Sequence, residues 1–127
     1  MDLSGVWQGQ FAYPRIQAPV SFTATITETN SWLDGMTEEL GAVGDARGRT
    51  ITATLQGRRT GRSVTWLKLY DGRHSSYDSV QYTGEVNEDG TEIAGRWSIP
   101  GNWSGPFLMI RSGGSKAALT REVTEKV

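Results

Sequence analysis

The only histidine of the chain, His74, lies in the polar run Asp71-Gly72-Arg73-His74-Ser75-Ser76-Tyr77-Asp78, beside two serines and two aspartates. These are the residue types of a hydrolytic triad. A triad is recognised by geometry, however, and residues so close together in one loop rarely reach it. No Gly-x-Ser-x-Gly elbow and no metal-ligand spacing accompanies them, so no catalytic residue, no metal ligand and no cofactor is assigned. The chain has no cysteine. That excludes disulfides, thiolate metal sites, cysteine nucleophiles and iron–sulfur clusters together. Asn102-Trp103-Ser104 has the form of a glycosylation acceptor and is read as incidental.

The stronger chemical signal is a set of aromatic and cationic residues that share one parity within their segments. Trp7, Phe11, Trp66, Tyr70, Tyr82, Trp97 and Trp103 would form one ring-rich wall, and Lys68 and Arg111 are charged residues on the same side. A buried charge needs a partner. Either these two cations meet an anionic group, such as a carboxylate, on an otherwise apolar or aromatic ligand, or they snorkel to solvent or pair with Asp71, Asp78 or Glu85. Gly9, Gly35, Gly84 and Gly95 have the same inward parity and contribute no side-chain volume. They leave a cavity, or else they admit rings from neighbouring strands.

Short strands are the elements that would hold these residues in place. Val20 to Thr27 alternates apolar and hydroxyl residues, and the same alternation runs through Ile51 to Leu55, Val80 to Val86 and Ile93 to Ile99. Gly5 to Tyr13 places Trp7, Gly9, Phe11 and Tyr13 on one face. Ser31 to Glu38, Ser63 to Tyr70 and Pro106 to Arg111 are also strand-like, with apolar residues on both faces. Breaker clusters at Tyr13-Pro14, Asn30-Ser31, Gly41 to Gly48, Thr60-Gly61, Asp71-Gly72, Glu88-Asp89-Gly90 and Pro100-Gly101-Asn102 separate them. Eight strands with short links predict an all-β antiparallel meander, and closing it removes both sheet edges. The expected fold is therefore an eight-stranded antiparallel up-and-down β-barrel over residues 1–114, with a C-terminal tail or short helix over residues 115–127. A two-sheet sandwich is the alternative.

Leu67 and Leu69 oppose Trp66 and Lys68 in their strand, and Leu108 and Ile110 oppose Phe107, Met109 and Arg111 in theirs. Apolar residues on the outside of a barrel mark an interaction site. A second subunit or the tail would cover them, and symmetric dimers are the common solution, so a homo-oligomer, dimer or tetramer, is expected. The length of 127 residues suits one domain, and 13 basic against 14 acidic residues leave a net charge of −1. Without a basic surplus there is nothing to neutralise phosphates, which argues against nucleic acid. No apolar run approaches the roughly 20 residues of a membrane helix. The opening MDLSGVWQGQ lacks a basic n-region and an apolar h-region, so a cytoplasmic protein with no membrane partner is expected.

In order along the chain, these motifs resemble those of the avidin and streptavidin family, small barrels of the calycin type. Gly5-Val6-Trp7 is similar to the family's opening Gly-x-Trp, and Leu33-Asp34-Gly35-Met36-Thr37-Glu38 to its Leu-x-Gly-x-x-Glu. Val64-Thr65-Trp66 with Tyr70, Tyr82-Thr83-Gly84, and Ile93 with Trp97 resemble three further strands. Trp103 resembles the tryptophan that reaches into a neighbouring subunit's pocket. The resemblance implies a ligand-binding barrel that assembles as an oligomer. Where the family holds the biotin ureido group with Asn, Ser and Tyr, this chain has Gly9, Tyr13 and Thr37; Val80 and Arg111 replace a Thr and an Asp. Losing those partners should abolish tight biotin binding.

The leading expectation is a non-enzymatic protein that holds a small, largely hydrophobic or aromatic ligand in the barrel mouth, through Trp7, Phe11, Trp66, Lys68, Tyr70, Tyr82, Trp97, Trp103 and Arg111. The alternatives are an oligomeric interaction or structural module with a filled barrel, and a barrel-type enzyme such as a cyclase or isomerase of a hydrophobic ligand.

Overall fold

The computed structural model describes residues 1–13, 19–40, 48–71, 79–99, 101 and 103–111. Eight strands run in chain order: β1 (Gly5–Phe11), β2 (Val20–Thr29), β3 (Trp32–Leu40), β4 (Thr50–Thr60), β5 (Ser63–Tyr70), β6 (Ser79–Val86), β7 (Glu92–Ser98) and β8 (Ser104–Arg111). Each pairs antiparallel with its neighbour, and β8 returns to β1 with Met109 opposite Gly9, so the sheet is a closed barrel. The two-sheet sandwich is thereby excluded. Among the described residues no helix is long and apolar enough to cross a membrane. The His74 loop, Asn102 and the tail after Arg111 lie outside the described residues.

Alternation decides which side chains enter. Along β2, Val20, Phe22, Ala24 and Ile26 are buried while Ser21, Thr25 and Thr27 face water. Along β5, Val64, Trp66 and Lys68 are buried between exposed Ser63, Thr65, Leu67 and Leu69. Two tight hairpins fix the register at one end. Asn30 and Ser31 both take positive φ, 51° and 72°, as a two-residue turn with the handedness of the flanking strands requires. Gly61, at φ 61°, opens the turn between β4 and β5 in the conformation that glycine enters without strain.

Most of the inward glycines are sites of close strand approach. A Cβ on Gly57 would lie 1.9 Å from the Thr65 carbonyl oxygen, one on Gly95 2.0 Å from that of Thr83, and one on Gly35 2.2 Å from that of Thr25. The sheet bends there, as closure of so small a barrel demands. At Gly9 the vacated space holds the Phe22 ring, 2.3 Å from where a Cβ would stand, and at Gly84 it holds the Phe107 ring tip. This corrects the reading of these glycines as cavity makers: rings and backbone fill what they give up.

Several strands are longer than the sequence indicates, β2 reaching Thr29 and β8 starting at Ser104. β3 continues past Glu38 to Leu40, which turns Glu39 inward, and β4 continues past Leu55 to Thr60, which turns Arg59 inward. The outer face is uneven. Trp32, Met36 and Leu40 on β3 and Leu67 and Leu69 on β5 are exposed, Leu40 at 61%. On β8, by contrast, Leu108 and Ile110 point away from the lumen and are nevertheless buried.

Candidate functional site at the barrel mouth

The two ends of the barrel differ in chemistry. At the end where β1 begins and β8 finishes, Leu3 is fully buried and the Trp7 indole donates to its carbonyl at 2.9 Å. Arg111 spans this end. Its guanidinium donates to the carbonyls of Gly90, Ser4 and Asp2 and lies over the Trp7 ring at 4.6 Å. Arg59 donates to both oxygens of Glu28 and to the Met1 carbonyl, and the Leu3 amide donates to Glu28. Those bonds hold the Glu28 carboxyl below its ordinary range. Every polar group named here is used to tie the N-terminal segment across the barrel. This end is a plug.

At the opposite end, where β1, β3, β5 and β7 finish, the lumen carries a compact polar group. Lys68 on β5 is 1% exposed, and its Nζ donates to Glu39 Oε1 on β3 at 2.7 Å. The Tyr70 hydroxyl donates to the same oxygen at 2.7 Å. The register explains the meeting: Glu39 and Thr37 occupy consecutive inward positions of β3, and Lys68 and Tyr70 consecutive inward positions of β5, with β4 between them. In the row that contains Thr37 the flanking inward residues are Ala24 and Ala53, both fully buried and small, which leaves width for the long Lys68 stem.

Burial pulls the Lys68 ammonium below the usual lysine range, against the opposing pull of Glu39. Burial pushes the Tyr70 and Tyr82 phenols up, and the Glu39 charge adds to both shifts. The ammonium lies 5.0 Å from the Phe11 ring centre, 5.3 Å from Phe22, 4.7 Å from Tyr70 and 5.6 Å from Tyr82. Such ring faces stabilise a cation, and more so away from water. Of the three buried side-chain oxygens without a partner among the described residues, Gln10 Oε1, Thr37 Oγ1 and Glu39 Oε2, the last two lie at this group. Native interiors rarely leave such atoms unmatched.

The rings continue outward as an edge-to-face chain. Phe11 meets Tyr13 at 5.4 Å and Trp97 at 6.2 Å, and Tyr13 meets Trp97 at 5.5 Å and Trp103 at 5.4 Å. Trp97 also donates from its indole to the Ala12 carbonyl at 3.0 Å. Trp103 is the half-exposed outermost member. Deeper in the barrel, Trp66 stacks on Tyr82 at 5.5 Å and both touch Phe107, so the middle of the lumen is packed with side chains.

Of the residues singled out from the sequence, the structure gathers Phe11, Lys68, Tyr70, Tyr82, Trp97 and Trp103 toward the mouth. Trp66 stands in the packed middle. Trp7 and Arg111 stand at the plugged end. The two cations expected to act together are thus at opposite ends, and each has partners within the chain. Glu39 was not among the candidates, because alternation was followed only as far as Glu38. An open depression beside the mouth is lined by Gln8, Thr23, Glu38 and Leu40 from the outer face and by the buried Phe22 and Glu39, so it adjoins the Glu39 carboxyl. No known family model matches the chain, and no curated protein matches it in sequence.

Proposed function

We propose that this protein is a non-enzymatic small-molecule binder whose ligand, largely aromatic or apolar, docks at the mouth of the barrel. One observation carries the reading: a buried carboxylate with one oxygen unmatched sits among rings at the end of the lumen that the N-terminal plug leaves alone. Burying an ion pair costs more than an apolar filling of the same volume would. A purely structural core gains nothing from it. A binding site gains a fixed polar anchor inside an otherwise apolar wall, the usual composition of a ligand pocket. The closed eight-stranded up-and-down architecture is also that of the avidin-like resemblance, which supports a ligand at the mouth, and a barrel of this size can hold one small ligand. Biotin is not the ligand favoured, given Gly9, Tyr13 and Thr37 at the ureido-contacting positions. Nor does the Lys68–Glu39–Tyr70 group require a reaction; its charges are paired within the group.

Native mass spectrometry of freshly purified protein tests the proposal. A retained small molecule, lost in Lys68→Met, is the expected result. A protein that carries nothing and whose melting temperature no aromatic or apolar compound raises defeats it.

A second reading, an oligomeric module, rests on its own observation. Val6, Thr25, Met36, Thr54 and Leu69 face outward in one uncharged cross-strand row over five strands, next to the exposed Leu67, with Asp34 and Glu38 on either side of Met36. Such a face suits a second copy of the chain, and the two readings are compatible.

A further inference from the structure

Two donors near the mouth end on one atom. Lys68 Nζ and the Tyr70 hydroxyl each donate to Glu39 Oε1 at 2.7 Å, and the ammonium and carboxylate cancel one another's charge. The other two ammonium N–H groups face the rings of Phe11, Phe22, Tyr70 and Tyr82, so the pair is neutral overall and two oxygens beside it lack a partner. Glu39 Oε2 and Thr37 Oγ1 are buried and unmatched. An ionised carboxylate only accepts hydrogen bonds, and a hydroxyl accepts as readily as it donates.

We infer that the subsite at Glu39 and Thr37 takes the neutral, hydrogen-bond-donating head of an aromatic or apolar molecule, such as an amide, a ring N–H or a hydroxyl, and rejects a carboxylate. The inference rests on the small-molecule reading above and reverses the expectation of an anionic head group drawn from Lys68. A carboxylate would bring a second negative charge beside Glu39, whose nearby cation among the described residues, Lys68, is already paired with it. A neutral donor meets a lone pair among rings, where little water weakens the bond. The body of the molecule would lie against Phe11 and Phe22, which face Lys68 from β1 and β2.

Calorimetric titration of the full chain with 2-naphthamide, 2-naphthoate and methyl 2-naphthoate separates the cases, since the three share one ring body. The amide, which alone both donates and is neutral, is expected to bind at least about tenfold more tightly than the acid or the ester. Glu39→Gln unmatches Lys68 and should invert the order, with the acid tightest. Thr37→Val keeps the shape, and should weaken the amide by about fivefold while leaving the ester unchanged. It decides the matter if Glu39→Gln fails to fold. Where a molecule co-purifies, its fragmentation spectrum is read directly: a neutral donor supports the inference and a carboxylic acid overturns it. Acid binding as tight as amide binding overturns the inference and leaves the small-molecule reading standing. If none of the three binds and nothing co-purifies, that reading falls and the inference falls with it.

Discussion

Lys68 and Glu39 show how a pair can be costly and specific at once. Removing either partner strands a buried charge, so Lys68→Met or Glu39→Leu alone should each destabilise the barrel by about 3 to 5 kcal/mol, whereas the double variant should fold nearly as stably as the parent. Urea denaturation of the four proteins measures this, and strictly additive losses would mean the two side chains do not act as a unit. The phenols make a second case at this scale. Burial and Glu39 raise Tyr70 and Tyr82 above the ordinary value of 10.0. Their contribution is therefore complete below that pH and is lost as pH rises beyond it, because the unfolded chain ionises first. In an ultraviolet titration, Tyr70 and Tyr82 should stay protonated until the barrel itself opens, so that their ionisation coincides with loss of strand signal. At acid pH the sign is opposite. Glu28 is held below its ordinary 4.5 by Arg59, so its contribution is full above that value and fades as pH falls through the lower, folded one. Glu28→Gln should flatten that limb of the stability curve.

At the scale of strands and turns, much could be read from the sequence alone. Period-two alternation located β1, β2, β4, β6 and β7, where a wet exterior makes a solvated position follow each buried one, and strand-like runs between breaker clusters located β3, β5 and β8. It failed where polar residues enter the lumen. Gln56-Gly57-Arg58-Arg59-Thr60 has no apolar residue, yet it belongs to β4, with Gly57 packed under β5 and Arg59 bound to Glu28. Glu39 was hidden for the same reason, one place beyond the last residue that alternation assigned. Its partner is 29 positions away in sequence, a distance only the pairing of β3, β4 and β5 removes. The glycines were legible as inward and illegible in purpose, since spacing does not reveal how near the next strand comes. Gly57→Ala tests that purpose: its methyl would fall on the Thr65 carbonyl, and overpacking against backbone should cost about 3 kcal/mol in a thermal or urea melt. Arg111→Ala should release the N-terminal segment, costing about 2 kcal/mol from its charged hydrogen bonds, and leave ligand affinity at the mouth unchanged.

For the whole molecule, the uncharged row across β1 to β5 and the buried outer residues of β8 give the barrel two unlike flanks. If the first flank joins copies of the chain, Met36→Lys with Leu69→Lys should convert the assembly to monomers in light scattering without altering the mouth, which lies inside. The plug at the other end carries a further consequence. Arg111 is bonded to the backbone of residues 107 and 109 positions before it, and β1 has no partners except β2 and β8. Contacts of such long range can form only after β8 has left the ribosome, so the first strand waits, half paired, for the eighth. Loop closure across that span is slow, on the millisecond-to-second scale of non-local β topologies. Until it happens β1 is an open edge, which makes the growing chain most vulnerable to its own neighbours just before β8 pairs.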